Sequence, residues 1–243
     1  MSSPETTSMN NQPAIFSYPT YLDACTTVAG LLLSKIQKNP SLCLALPTGR
    51  SAIELYAQFT NQCLSTTPFL KLDSIHTFNL DEYVGIKPES PDSFHSFMSK
   101  HLFSKVKLSA TQIHFPNPQS PHEYESEIEK CGGLDLCILG LGLNGHIAFN
   151  EPNSKRDSKT RIVELNAETK IANQDQFSDA STVPSHAVTM GLSTILSSKE
   201  IFLLCNTREK WKKLSPYLQK NEIDPLFPAS YLLEHPRVSI FHI

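Results

Sequence analysis

Short, continuously apolar segments alternate with helical hydrophobic patterns along this 243-residue chain, and that alternation constrains the fold more than any other feature. The first such segment, residues 41–46, is stopped by Pro47-Thr48-Gly49. A continuous apolar run of this length is typical of a strand buried on both faces of a parallel sheet. Further strands are predicted at 74–80, 134–141, 201–205 and 238–242.

Helical spacing fills the intervals between these strands. The first helix has apolar residues from Leu22 to Ile36 and is preceded by Thr20 as a candidate N-cap. Further helical patterns occur near 53–59, 93–103, 122–130 and 208–219. Alternating strands and helices predict an α/β fold, a doubly wound, mostly parallel, Rossmann-like sheet with helices on both faces.

The domain organisation is predicted to be simple. Residues 1–13 are polar and are expected to form a disordered tail, followed by one domain over residues 14–243. No repeat or Pro/Ser-rich linker divides the chain. Residues 153–185 show little periodicity, so we expect a long excursion over the sheet edge, of the kind that often acts as a lid.

Composition argues against several classes of partner. Lys and Arg total 21 against 24 Asp and Glu, and no basic run would track nucleic acid phosphates. No apolar stretch approaches the ~20 residues that span a bilayer, so we expect no membrane partner. The tail contains no apolar core typical of a secretory signal, which favours a cytoplasmic location.

The six cysteines are expected to be reduced and mostly buried. They lack the spacing of a disulfide framework and of a CxxC zinc site, so no metal site is expected.

Polar residues follow three predicted strands, where open α/β sheets bind ligands. The first group is Pro47-Thr48-Gly49-Arg50-Ser51, which leads into a helix. Such a turn would direct backbone N–H groups and the positive end of a helix dipole at an anion such as phosphate. The alternative is an ordinary turn with Ser51 as N-cap.

The second group is the adjacent pair Asp81 and Glu82 at the end of strand 74–80. One of these carboxylates is a candidate general base, and the alternative is a turn acid bound to backbone N–H groups.

The third group follows strand 134–141. Three glycines, Gly140, Gly142 and Gly145, permit close backbone approach but do not fit a dinucleotide-binding fingerprint. Among them stand Asn144, His146 and Glu151: a hydrogen-bonding amide, a titratable imidazole and a carboxylate that can orient it.

Together these segments resemble the glucosamine-6-phosphate deaminase family. The resemblance rests on residues 46–49 (LPTG), 78–85 (FNLDEYVG), 96–98 (SFM) and 145–152 (GHIAFNEP), and it extends over nearly the whole chain after the tail. Residues 132–137 and the early C-terminus look more like the galactosamine-6-phosphate members. The substrate epimer is therefore open.

The resemblance implies an activity. The family converts an amino-sugar phosphate to fructose-6-phosphate or tagatose-6-phosphate and ammonia, through ring opening and an aldose-to-ketose isomerisation, without a metal or redox cofactor. It implies Asp81 as the enolisation base, and His146, supported by Glu151 and Asn144, as the ring-opening group. The implied partner is a small sugar phosphate, and an oligomer is possible.

The resemblance also implies a phosphate site. Its candidate residues are Pro47, Thr48, Gly49, Arg50, Ser51, Gly145 and Lys210. Lys210 follows strand 201–205 and would supply a compact positive charge, although a solvated helix lysine is nearly as common an explanation.

Arg50 and Ser51 stand where the family usually has glycine and threonine. If position 50 needs a positive φ, arginine costs ~1 kcal/mol or more. The alternative, which we favour, is that Arg50 contacts the phosphate. The family's usual phosphate arginine is absent, since Gln174, Asp175 and Gln176 occupy its place.

Two further departures concern regulation and pH. Asn144 stands at a position that is aspartate in some members and asparagine in others, so it cannot share a negative charge with His146 and a changed pH profile is expected. Of the basic pair in allosteric members, Arg161 is present but Val163 replaces the lysine, which makes such allostery doubtful.

Two other functions are weighed. In 6-phosphogluconolactonases an arginine usually follows the Asp-Glu pair, whereas this chain has Tyr83, and residues 147–152 also disagree. A non-catalytic sugar-phosphate sensor would carry an N-terminal helix-turn-helix, for which thirteen residues are too few, and it would not need Asp81 and His146.

Overall fold

The computed structural model describes residues 12–66, 72–174, 177 and 183–243. The strands in these ranges are β1 (Ala14–Ser17), β2 (Cys43–Leu46), β3 (His76–Asn79), β4 (Asp81–Tyr83), β5 (Ile113–His114), β6 (Leu136–Gly140), β7 (Arg161–Glu164), β8 (His186–Thr189), β9 (Ile201–Cys205) and β10 (Val238–His242). The α-helices are α1 (Tyr21–Lys38), α2 (Arg50–Ser65), α3 (Phe94–Met98), α4 (Ser104–Val106), α5 (Glu123–Lys130), α6 (Ala167–Asn173), α7 (Leu192–Leu196) and α8 (Arg208–Lys220). A π-helical segment, Ser99–Phe103, joins α3 to α4, and a 3₁₀ helix spans Pro228–Glu234.

The central sheet has seven strands in the order β1-β10-β9-β6-β2-β3-β5, and all neighbours are parallel. The α/β prediction is confirmed. Successive residues of β2 enter different hydrophobic clusters: Leu44 and Leu46 pack with α1 and α2, whereas Cys43 and Ala45 pack with α5 and α8. This burial on both faces explains why the strand is continuously apolar.

The strand order locates the ligand crevice. From β2 the chain proceeds outward to β3 and β5, and it then returns to β6 on the other side of β2. Where connections diverge in this way, the loops after the two central strands leave a gap at their carboxyl ends. The crevice therefore opens beyond β2 and β6.

A second, antiparallel sheet in the order β4-β8-β7 was not predicted. The strand predicted at 74–80 ends at Asn79, and the chain passes directly into this small sheet at Asp81. Leu80 joins the two sheets: its N–H donates to the Leu46 carbonyl at 3.2 Å, and its carbonyl accepts from the Met190 N–H at 2.7 Å.

The excursion expected over residues 153–185 includes regular structure that was not predicted. It contains β7 and α6. In β7, residues 162 and 164 are exposed and their neighbours are half-buried, so the strand lacks the continuous apolar run that identified the central strands.

Some predictions fall partly outside the described residues. Of the tail predicted at 1–13, residues 1–11 lie outside them, and the single-domain organisation stays a prediction. Within the described residues, no helix is long and apolar enough to cross a membrane. All six cysteines are free thiols, and only Cys131 is not fully buried.

Two glycines provide a test of the packing. A Cβ at Gly191 would lie 2.1 Å from the Ser158 carbonyl oxygen, whereas a Cβ at Gly30 in α1 would lie 3.4 Å from the flexible Gln62 side chain. Gly191→Ala should therefore lower the free energy of unfolding by about 1–3 kcal/mol, while Gly30→Ala raises it by roughly 0.5–1 kcal/mol. Urea unfolding measures both, and a Gly191→Ala variant of wild-type stability would contradict the close approach.

Candidate active site

A cavity of about 840 Å³ lies at the carboxyl end of the central sheet. Loops that follow β2, β3, β6 and β9 contribute to its lining. Among the predicted site residues, those on the wall are Pro47, Thr48, Gly49, Arg50, Ser51, Asp81, Asn144, His146 and Lys210. The predicted residues Gly145 and Glu151 lie outside this lining. The structure thus gathers into one space residues that are far apart in sequence.

The turn after β2 ends on the first residue of α2. Gly49 is the N-cap, with φ 88°, and no side chain caps the helix. The positive end of α2 and its first N–H groups therefore begin at the cavity wall without a competing side-chain oxygen. This geometry suits a phosphate, and the alternative of Ser51 as N-cap is wrong.

The positive φ of this turn falls on Gly49, not on Arg50. Arg50 is the first residue of α2, where any side chain is tolerated. The hypothesis that arginine strains the backbone at this position is therefore wrong. Arg50 is exposed and lines the cavity, which agrees with the other hypothesis, a phosphate contact.

Two tyrosines hold the turn in place, and sequence analysis missed both. The Tyr56 hydroxyl donates to the Pro47 carbonyl, and the Tyr21 hydroxyl donates to the Ser51 carbonyl at 2.7 Å. Their positions on α2 and α1 look like ordinary core positions in the sequence. The turn is therefore fixed from both sides before a ligand arrives.

The adjacent carboxylates Asp81 and Glu82 have different environments. Glu82 accepts hydrogen bonds from the N–H groups of Tyr83, Phe94 and His95, at 2.9–3.0 Å, and so caps α3. Asp81 instead lines the cavity and accepts only a 3.3 Å hydrogen bond from the Thr48 hydroxyl among the contacts described. The structure thus distinguishes the turn acid, Glu82, from the candidate general base.

Asp81 is 5 % exposed. Its pKa is raised to about 8, mainly by burial and also by the nearby Glu82 carboxylate, while the Thr48 hydrogen bond opposes both effects. A carboxylate in such a site is a far stronger base than one in water.

His146 is held in one tautomer by its neighbours. The Asn144 amide nitrogen donates to Glu151 Oε2 at 2.8 Å, which fixes the amide orientation. The Asn144 oxygen therefore faces His146 Nδ1 at 2.7 Å, and Nδ1 must be the donor. The other ring nitrogen, Nε2, is left as a proton acceptor.

Burial lowers the pKa of His146, the Glu151 carboxylate opposes this shift, and the Lys210 charge adds to it. The imidazole is therefore neutral near pH 7. Its ring lies over Gly142, where a Cβ would come within 2.3–2.4 Å of three ring atoms. Only glycine at position 142 leaves room for the ring.

Glu151 connects the His146 loop to α6. Besides Asn144, it accepts hydrogen bonds from the Asn166 amide at 2.7 Å and from the Thr169 hydroxyl. Asn166 is also the N-cap of α6, which adds Thr169 to the cavity lining. Glu151 thus positions groups on two walls, and its partners from the polar stretch were missed in the sequence.

The two remaining predicted residues differ in placement. Lys210 lies in the first turn of α8, lines the cavity and donates to the Asn206 side chain at 2.8 Å. Gly145 has φ 83°, and a Cβ there would meet the Phe227 ring at 2.4 Å. A glycine at position 145 therefore allows the backbone to pack directly against the Phe227 ring.

A sequence model of the family "Glucosamine-6-phosphate isomerases/6-phosphogluconolactonase" matches residues 20–240. The chain belongs to this family. Glucosamine-6-phosphate deaminases from Lysinibacillus sphaericus and Rhodopirellula baltica are 40% identical over 229 residues and 37% identical over 227 residues. These matches cover 92% and 91% of this chain, and 95% and 89% of the relatives.

Two solved structures of this family are similar to the chain over most of its length. The structure of a monomeric glucosamine-6-phosphate deaminase matches with a TM-score of 0.89 and 32% identity, over 94% of this chain and 96% of that one. The 6-phosphogluconolactonase from Plasmodium vivax matches at 0.72 with 17% identity, over 97% and 91% of the two chains, which shows the shared fold alone.

Arg161, compared above with the basic pair of allosteric family members, has internal partners here. Its guanidinium donates to the Asn150 side chain at 2.9 Å and to the Ser154 hydroxyl at 3.2 Å. Asn150 is fully buried and donates to the carbonyls of Ile147 and Met190. Arg161 therefore braces the loop that carries His146.

The segment that lacks the family's phosphate arginine is only partly described. Gln174 follows α6, whereas residues 175 and 176 lie outside the described residues.

The raised pKa of Asp81 predicts how stability changes with pH. The folded protein retains a proton that the unfolded chain releases between about pH 4 and pH 8, so the free energy of unfolding falls as pH rises through this window. The loss is at most about 1.4 kcal/mol per pH unit. Asp81→Asn removes the titrating carboxyl and with it this pH-dependent loss. The free energy of unfolding of the variant should therefore rise relative to that of wild type as pH rises.

Urea unfolding of both proteins at pH 4, 6 and 8 checks this expectation. Asp73→Asn, at an exposed position, is the control and should differ from wild type by a constant amount. An Asp81→Asn difference that is also constant with pH would contradict the buried, protonated carboxyl.

Proposed function

We propose that this chain is a glucosamine-6-phosphate deaminase, which converts its substrate to fructose-6-phosphate and ammonia. The observation that carries the proposal is the single cavity that brings a buried carboxyl, a neutral histidine and an uncapped helix N-terminus together. The relatives at 37–40% identity support the gluco epimer, because they are named glucosamine-6-phosphate deaminases. The family model also includes 6-phosphogluconolactonase, but the solved lactonase structure is only 17% identical and supports likeness of fold alone.

The substrate phosphate binds at the start of α2. Backbone N–H groups and the helix dipole at Gly49 favour an anion, and the Thr48 and Ser51 hydroxyls line the same wall. Arg50 and Lys210 add positive charge. Because these groups hold a part of the substrate that does not react, they contribute mainly to uniform binding.

Ring opening is assigned to His146. Its free Nε2 accepts the proton of the C1 hydroxyl and returns a proton to the ring oxygen as the C1–O5 bond breaks. The lowered pKa keeps the imidazole neutral, as this step requires. Asn144 and Glu151 act as positioning residues, since they fix the tautomer and ring orientation.

Enolisation is assigned to Asp81. The ionised carboxylate removes the proton from C2 and returns it to C1, while a proton of the substrate's ammonium group passes to the C1 oxygen, so that the open-chain amino aldose becomes a C2 imine with a C1 hydroxyl. Water adds to that imine, and the amino group leaves as ammonia. A pKa of about 8 makes the carboxylate basic enough to take a carbon-bound proton.

The deciding experiment measures ammonia release by the purified protein with glucosamine-6-phosphate and galactosamine-6-phosphate, beside hydrolysis of 6-phosphogluconolactone. We expect turnover of the first substrate and its loss in Asp81→Asn, with C2 proton exchange lost as well. Faster turnover of galactosamine-6-phosphate would overturn the assignment of the gluco epimer. Hydrolysis of 6-phosphogluconolactone alone would support a lactonase. Binding of the sugar phosphate without turnover would support a sensor.

The phosphate site predicts a separation of kinetic constants. Arg50→Gln and Lys210→Met should each raise KM by roughly ten- to hundredfold and leave kcat nearly unchanged, because each removes a charge-assisted contact made throughout the reaction. Lys212→Met, on the same helix but outside the cavity lining, is the matched control. Michaelis curves measure all three, and an unchanged KM for Arg50→Gln would remove Arg50 from the phosphate site.

The histidine network predicts a shift in pH dependence. Asn144→Asp places a carboxylate beside His146 Nδ1, which favours the imidazolium and raises the histidine pKa. On the acid side of the kcat/KM profile, loss of activity begins with protonation of Asp81, and protonation of His146 makes the limb steeper at lower pH. That steeper part should move to higher pH by about one unit. Asn117→Asp, at an exposed turn, should leave the profile unchanged, and an identical profile for Asn144→Asp would exclude His146 as the titrating group.

A further inference from the structure

A cluster of two histidines and a cysteine lies away from the cavity. His76 is the first residue of β3, at the amino end of the sheet, whereas the cavity lies at the carboxyl end. His114 is in the neighbouring strand β5, and Cys131 is the C-cap of α5. None of the three lines the cavity.

The three side chains converge on one point. One ligand atom from each lies within 4.8 Å of the other two. The closest pair is His76 Nδ1 and His114 Nε2, which are 3.1 Å apart. Two imidazole nitrogens that face one another at this distance share either a proton or a metal ion, and a thiol beside them supplies a third ligand.

His114 is oriented from its far side. Its Nδ1 lies 3.6 Å from Glu127 Oε2, and its ring stacks on Phe78 with centroids 4.4 Å apart and planes at 9°. A carboxylate behind the distal nitrogen of a histidine is the usual outer-shell partner in metal sites. Nε2 is therefore the nitrogen that His114 presents to the cluster.

Cys131 has an environment unlike that of the other cysteines. It is half-buried, whereas the remaining five are buried. Its backbone N–H donates to the carbonyls of Glu127 and Ile128, and its own carbonyl accepts the Cys43 thiol. The backbone of Cys131 is thus fixed, and the Cys43 thiol is already engaged by the Cys131 carbonyl.

We propose that His76, His114 and Cys131 bind one zinc ion, with a water molecule in the fourth position. Two imidazoles and a thiolate form a borderline-soft ligand set that suits zinc and excludes magnesium and calcium. On binding, the Cys131 thiol loses its proton to solvent. The ion ties the two-residue edge strand β5 and the end of α5 to β3.

The sequence concealed this site. The three residues are separated by 38 and 17 positions, and no CxxC spacing marks them. The expectation of no metal site rested on that spacing, whereas parallel pairing of β3 with β5 and the packing of α5 bring the ligands together.

Cobalt(II) tests the ligand set directly in the wild-type protein. After treatment with a chelator, addition of one equivalent of cobalt should produce a thiolate-to-cobalt charge-transfer band and intense visible bands of a tetrahedral ion. Zinc should then displace the cobalt and remove these bands. Absence of the charge-transfer band in the folded wild-type protein overturns the proposal without any variant.

Variants identify the ligands. Cys131→Ser should lose the charge-transfer band and weaken zinc binding at least tenfold, measured by competition with a chromophoric chelator. Cys63→Ala, the control, removes a buried thiol from α2 and should retain both the charge-transfer band and the wild-type affinity for zinc. A band that persists in Cys131→Ser places the metal on another cysteine and overturns the assignment.

The outer-shell carboxylate has its own matched pair. Glu127→Gln should weaken zinc binding by roughly tenfold or more, while Glu123→Gln, one turn earlier on α5, should not. Equal affinity in both variants would remove Glu127 from the site.

Zinc should also raise the melting temperature of wild type, because an ion bound only to the folded state stabilises it by mass action. Ammonia release without zinc should be the same in Cys131→Ser and wild type, since the cluster lies outside the catalytic cavity. A melting temperature that zinc raises equally in Cys131→Ser would overturn the site.

Discussion

The divergence of the chain connections on either side of β2 and β6 determines where every reactive group can lie. Because the loops after these two strands run in opposite directions, a gap opens at their carboxyl ends. The turn before α2, the carboxyl that follows β3, the glycine-rich loop after β6 and the lysine after β9 all border this gap. The chemistry is therefore local to one edge of the sheet, although its residues span most of the chain.

The roles of the three carboxylates Asp81, Glu82 and Glu151 follow from the number of hydrogen bonds that each accepts. Glu82 is occupied by three backbone N–H groups and Glu151 by two amides and a hydroxyl, so both serve to hold other parts of the structure. Asp81 has only one hydroxyl partner among the contacts described and little access to water. The shortage of hydrogen-bond donors contributes to the basicity of Asp81, because a buried carboxylate with few donors is costly to ionise.

The strands buried on both faces could be predicted from the sequence, and the bounds of β9 and β10 are confirmed to the residue. The small antiparallel sheet could not be predicted, because β4 and β7 are short and only partly buried and therefore contain no continuous apolar run. The nine predicted residues that line the cavity were found through motifs at strand ends. Tyr21, Tyr56, Asn166 and Thr169 were missed, since contacts between distant elements define their roles and no local pattern marks them.

Leu80 is the joint between the two sheets, with one backbone hydrogen bond to each. Asp81 is the next residue, so any change in the angle between the sheets rotates the carboxyl that follows the joint. Loosening either bond would admit water and bring the acidity of Asp81 back toward that of an ordinary aspartate. The base strength of Asp81 therefore depends on the rigid backbone at Leu80, which keeps the carboxyl buried, as well as on the charge of the neighbouring Glu82.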